Sequence, residues 1–152
     1  MEQLISTHEL ELFLRLFLAA VVGWVIGFER EVLGKAAGTR TFALVAFGAA
    51  LFSIVSSEGF VEFIGSSAAD PTRVTSLIVS GIGFLGAGLI IFRGDKVEGL
   101  TTAAGLWATA ALGIAFGRGL YVLAVFSALL LLGLLYTSRI IHPEHHDLDP
   151  AP

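Results

Sequence analysis

The chain has 152 residues, a net charge of −4, hydrophobic residues at 55% and charged residues at only 14%. A water-soluble domain carries roughly 25% charged residues, so this chain has too little polar surface to stay in solution alone. It has no cysteine, which excludes disulfides and thiolate metal sites, and no basic run long enough to suggest a nucleic-acid partner.

Five apolar runs account for the missing charge: Leu12–Phe28, Thr41–Ser57, Val74–Phe92, Leu100–Phe116 and Gly119–Ser138, with lengths of 17, 17, 19, 17 and 20 residues. A helix crossing a bilayer needs about 20 apolar residues, within a range of about 17–25. The predicted fold is an all-α integral membrane protein, a bundle of about five transmembrane helices. Residues 1–141 form the membrane domain and 142–152 a mobile cytoplasmic tail. Only Arg15 interrupts the first run, and Glu2, Glu9 and Glu11 precede it. A cleaved signal peptide would carry positive charge there, so the run is read as a retained span.

The connection after this span reads GFEREVLGKAAGTRT. Glu29 and Arg30 fall at the end of span one, and Arg30 complements the negative end of the helix dipole. Glu29 lies beside the bilayer and needs a partner; Arg40, on the antiparallel neighbour, is the candidate. Thr39 or Thr41 can cap span two, as Thr101 or Thr102 can cap span four. The simplest role for these residues is an interfacial ion pair that fixes the hairpin. The functional reading is a polar cluster of Glu29, Arg30, Arg40, Thr41, Thr101 and Thr102 that binds an ion or a partner.

Before span three stands ADPTRV. Asp70 suits an N-cap and Pro71 the first helical position, where the missing N–H costs nothing; Arg73 follows near the membrane surface. Glu29 and Asp70 are the two carboxylates to consider for a metal ion. Span three itself contains SGIGFLGAG, in which Gly81, Gly83 and Gly86 spell the dinucleotide spacing GxGxxG. That fingerprint requires a strand before it and a soluble βαβ unit around it, and an open sheet edge cannot lie in lipid. Gly81, Gly83, Gly86 and Gly88 are therefore read as a helix-packing surface, the sharper alternative being a broken helix lining an ion path. Trp107, seven residues into span four, is too deep for an interfacial belt and is expected to pack on the glycines.

The tail IHPEHHDLDPAP gathers His142, His145, His146, Glu144, Asp147 and Asp149. Such a cluster can hold a divalent metal weakly, but it reads first as solvated. At an offset of 61 residues, Gly38/Gly99, Thr41/Thr102, Ala43/Ala104, Ala49/Ala110, Ala50/Ala111 and Leu51/Leu112 are identical. These matches suggest a parallel internal repeat relating spans one–two to spans three–four. Lys and Arg mark the cytoplasmic side. Arg30, Lys35, Arg40, Arg93, Lys96 and Arg139 stand on one side against Arg15, Arg73 and Arg118 on the other. That bias puts the N-terminus outside and the C-terminus in the cytoplasm.

Taken in order, GFERE (Gly27–Glu31), AAGTRT (Ala36–Thr41), GAALF (Gly48–Phe52), DPTRV (Asp70–Val74), SGIGFLGAG (Ser80–Gly88) and GLTTAAGLW (Gly99–Trp107) make the chain resemble the membrane domain of the MgtC/SapB family. The resemblance covers about Gly23 to Gly119. It implies a multi-pass bacterial inner-membrane protein linked to magnesium limitation and, in pathogens, to virulence. It also implies a regulator acting on other membrane proteins, including ATP synthase. Many relatives continue into a cytosolic ACT-type domain that these residues do not include, which puts in doubt any function needing that domain. Two functions follow. One is a membrane regulator working by helix contact with a partner or with itself, as a dimer; the other is a transporter or channel for Mg²⁺ or another ion. Mg²⁺ sites use one or two carboxylates, and no Asp or Glu lies inside any of the five runs, so the regulator is preferred. No paired-carboxylate or Ser/His/Asp arrangement suggests an enzyme.

Overall fold

A computed structural model describes residues 6–58 and 71–141. The described residues form five helices: α1 (Thr7–Val32), α2 (Thr39–Glu58), α3 (Pro71–Ala87), α4 (Leu100–Gly117) and α5 (Tyr121–Ile141). A two-stranded hairpin, β1 (Ile91–Arg93) and β2 (Lys96–Glu98), lies between α3 and α4. The all-α membrane architecture is as the apolar runs predict. Helices α1, α2 and α4 are each long and apolar enough to cross a membrane, while the apolar parts of α3 and α5 are shorter.

Local chemistry sets the helix ends. Ser6 opens α1 with a capping box, its hydroxyl accepting the Glu9 N–H and the Glu9 carboxylate accepting the Ser6 N–H at 2.7 Å. With 26 residues, α1 is about 39 Å long and exceeds a hydrocarbon core of about 30 Å. Helices α1 and α4 close alike. Gly34 (φ 64°) and Gly119 (φ 72°) take the left-handed position after each C-cap. The next N–H, of Lys35 or Leu120, reaches back to the carbonyl of Arg30 or Ala115, which is the Schellman arrangement.

The third predicted span, Val74–Phe92, ends early. Helix α3 runs unbroken through Gly81, Gly83 and Gly86 and stops at Ala87, while Ile91 and Phe92 belong to β1. Hydropathy could not separate the two, because a strand of Ile and Phe is as apolar as a helix of them. The deciding signals are the glycines at the helix end, which favour helix poorly, and the Gly94-Asp95 pair between Arg93 and Lys96. Those two residues make a two-residue hairpin turn, with Gly94 at φ 58°.

Helix α2 lies at the centre, antiparallel to α1 and parallel to α4. Two glycine pairs spaced four residues apart let the backbones meet. A Cβ added at Gly23 would lie 2.8 Å from Ala46 Cβ, and one at Gly27 would lie 2.7 Å from Thr39 Cα. On α4, a Cβ at Gly113 would lie 2.9 Å from Ala49 Cβ, and one at Gly117 would lie 2.9 Å from Ser53 Cβ. In lipid, where no hydrophobic force drives helices together, such backbone approach is what holds a bundle. Phe42, Ile26, Leu106 and Phe116 fill the remaining interior. The helices that follow the matched glycines Gly38 and Gly99 run side by side, but one is reached by a Schellman turn and the other by a β-hairpin. The structure does not establish the internal repeat.

Candidate functional site

Where α1 ends and α2 begins, Glu29, Arg30 and Glu31 are consecutive, and a helical turn of about 100° per residue separates their directions. Arg30 points inward and is 2% exposed. Its Nε and Nη2 donate to the two oxygens of Glu29, a bidentate charge-assisted pair. An enclosed guanidinium without a counter-charge is strongly destabilising, so the neighbouring carboxylate is committed to it. The expected Glu29–Arg40 contact does not form for this reason. Glu31 faces α2 and accepts the Thr39 N–H at 2.9 Å and the Thr39 hydroxyl. The carboxylate thus serves as the anion at the positive end of α2.

Arg40 and Thr41 are exposed on the first turn of α2. With Glu31, Lys35 and Gly38 they line an open groove of about 330 Å³. Helix α4 is capped by Gly99 at φ 85°, with no side-chain cap, rather than by a threonine. Thr101 is exposed and Thr102 is buried within the first turn. The predicted cluster therefore resolves into an ion pair of buried Arg30 with half-buried Glu29, a groove (Arg40, Thr41) and two α4 threonines.

Glu29 and Glu31 both spend their carboxylates on partners within the protein. Asp70, the other candidate metal ligand and expected cap, lies outside the described residues, as does the tail 142–152. Arg73 is exposed near the start of α3. Among the described residues no three His, Asp or Glu side chains gather as a metal-binding group.

The opposite end holds a cluster that the sequence reading passed over. Arg15 Nη2 lies 2.5 Å from Glu11 Oε1, and Nη1 donates to the Gly117 carbonyl at 3.1 Å. The Tyr121 hydroxyl donates to the same Glu11 oxygen at 3.4 Å. His8 Nε2 sits 3.1 Å from Glu58 Oε2. Together these contacts tie α1 to α2, α4 and α5. The available signal was Arg15 itself, since a charged residue within an apolar span needs a reason.

The third region is the outer face of α3. A Cβ added at Gly81 or Gly83 would meet nothing within 4 Å, while one at Gly86 would lie 3.7 Å from Ala103 Cβ. A Cβ at Gly88, just past α3, would approach only carbonyls of the last turn of that helix, Leu85 at 3.4 Å and Phe84 at 3.9 Å. Among the described residues, only Gly86 of the expected glycine surface packs on a neighbouring helix. Trp107 is 51% exposed rather than enclosed by glycines, because adjacent Leu106 takes the inward position on α4. Phe84, between the bare glycines and Gly86, is 80% exposed.

A family model of the MgtC family matches residues 16–143. YhiD of Escherichia coli K12, which bears a provisional magnesium-transporter name, is 41% identical over 143 residues, covering 90% of this chain and 66% of YhiD. An uncharacterised protein of Synechocystis is 46% identical over 122 residues, 80% of this chain and 50% of that one. Protein MgtC of Brucella abortus is 51% identical over 102 residues, 67% of this chain and 40% of that one. The chain thus spans between 40% and 66% of the length of these relatives. No solved structure matches it.

Proposed function

Because the chain belongs to the MgtC family, we propose that it is a small bacterial inner-membrane regulatory protein of adaptation to magnesium limitation and, in pathogens, of virulence. It works without catalysis, through lateral helix contact with a second copy, as a dimer, and with other membrane proteins such as ATP synthase. The N-terminus faces outward and the C-terminus the cytoplasm, as the Lys and Arg bias favours.

The observation carrying this reading is the contrast between two sets of glycines. Those at 23, 27, 113 and 117 are covered by α2, whereas among the described residues nothing lies within 4 Å of a Cβ at Gly81 or Gly83. A glycine-bearing transmembrane face is a surface onto which another helix packs closely. The test is Gly83→Leu, with protein mass in nanodiscs and energy transfer between labelled copies as readouts. The expected outcome is a normally inserted, folded monomer. Gly86→Leu is the poorer test, because Ala103 stands against Gly86 and the change disturbs α3–α4 packing too. An undiminished dimer, and undiminished capture of ATP synthase from native membrane, in the Gly81→Leu/Gly83→Leu double variant would remove the support.

The name of YhiD favours a second reading, Mg²⁺ transport. Reconstituted vesicles separate the two: Mg²⁺-selective flux that is lost in Glu29→Gln or Asp70→Asn would favour transport over regulation.

A further inference from the structure

The β1–β2 hairpin is amphipathic in a way its sequence hides. Ile91 pairs with Glu98, Phe92 with Val97 and Arg93 with Lys96. Directly paired residues share a face and successive residues alternate, so Phe92 and Val97 stand together on one side. The other side holds Arg93, Lys96, Glu98 and Ile91, with Arg93 Nε 3.4 Å from Glu98 Oε2. Among the described residues nothing covers the apolar side, where Phe92 is 76% and Val97 50% exposed.

The location of this face decides what covers it. The hairpin leaves α3 at Ala87 and enters α4 at Leu100, so both its feet are ends of helices in the apolar bundle. It is also held tightly: a Cβ at Gly99 would lie 2.9 Å from the Leu89 carbonyl carbon, so the two stems meet backbone to backbone. With 17 residues, α3 is about 25 Å long and falls short of a hydrocarbon core of about 30 Å, so strands reaching only about 10 Å leave the hairpin at the core–headgroup boundary. Exposed apolar residues continue on both flanks, with Phe84 before the hairpin and Leu100, 60% exposed, after it.

We propose that the Phe92–Val97 face is a membrane-interface anchor, lying against the boundary between headgroups and acyl chains while the Arg93–Glu98 face looks to water. Apolar and aromatic groups are favoured at that depth, and flanking cations extend to the headgroups. Arg93 and Lys96 are balanced by Asp95 and Glu98, so apolar area sets the depth, not attraction to anionic lipid.

The natural chain has no cysteine, so single-cysteine nitroxide labelling reports one site at a time. Phe92→Cys, Val97→Cys and Glu98→Cys proteins are placed in phosphatidylcholine nanodiscs, with and without phosphatidylglycerol. Collision with oxygen, which concentrates in lipid, is compared with collision with a water-soluble nickel chelate. Labels at 92 and 97 are expected to favour oxygen and the label at 98 the chelate, in both compositions. Adding Phe92→Ser to the Val97→Cys protein is expected to move that label toward the chelate, with the helical content unchanged. Equal chelate access at 97 and 98 would overturn the anchor. Shielding of 92 and 97 from both reagents would also overturn it, by showing that a protein neighbour covers the face. A depth that depends on phosphatidylglycerol would overturn the apolar basis.

Discussion

Gly113 and Gly83 are chemically identical helix positions whose substitution by alanine should have opposite effects. In a single copy kept apart from its proposed partner by dilution in the micelles, a methyl group at Gly83 enters open space, and replacing a helical glycine by alanine stabilises by roughly 0.5–1 kcal/mol. A methyl group at Gly113 would be driven into the backbone of Ala46 and to 2.9 Å from Ala49 Cβ. Neither neighbour is the end of a flexible side chain, so relief requires α4 to move away from α2. Overpacking of this kind costs about 1–3 kcal/mol, and rigid backbone contacts place Gly113 near the upper end. After subtracting the helical gain, Gly113→Ala should be destabilised by about 2 kcal/mol, leaving the two variants roughly 3 kcal/mol apart. Unfolding by sodium dodecyl sulfate in mixed micelles, followed by far-UV circular dichroism, resolves a difference of that size. Equal shifts for the two alanine variants, or a more stable Gly113→Ala protein, would refute the claim that backbone contact between α2 and α4 holds the bundle.

Glu29→Gln strands the buried Arg30, and since Glu29 is itself only partly enclosed, a loss of about 3 kcal/mol is expected, the low end for a broken buried pair. Glu29→Gln/Arg30→Met should recover part of that loss in the same unfolding assay; a double variant no better than the single one would show that the pair is not a unit. Arg15→Met removes the donor to the Gly117 carbonyl and the partner of Glu11, for a loss of about 1.5–3 kcal/mol. An unfolding curve unchanged by this substitution would mean that the Arg15 cluster does not tie the helices. Glu31→Ala removes the acceptor of the Thr39 N–H and loosens the first turn of α2. Amide exchange of Thr39–Thr41 should then quicken while that of the α4 interior stays as it was; uniform quickening would point to a global effect instead.

The number, order and character of the helices were legible in the amino-acid sequence, because a bilayer demands that each crossing segment satisfy its own backbone and present apolar side chains. The turn chemistry of Ser6 and Glu9 at the start of α1, and of Gly94-Asp95, came out only with the structure, because an apolar run alone could not show that Ile91 and Phe92 form a strand. The Gly23/Gly27 and Gly113/Gly117 spacings were visible as well, but so was the denser set from Gly81 to Gly88, and composition ranks the latter higher. Only the tertiary structure decided which set is covered, since a glycine lets helices approach only where another backbone arrives. The same holds for charge. Glu29 plainly needed a partner, yet whether Arg30 or Arg40 supplies it depends on which way the last turn of α1 faces, and that is set by packing against α2.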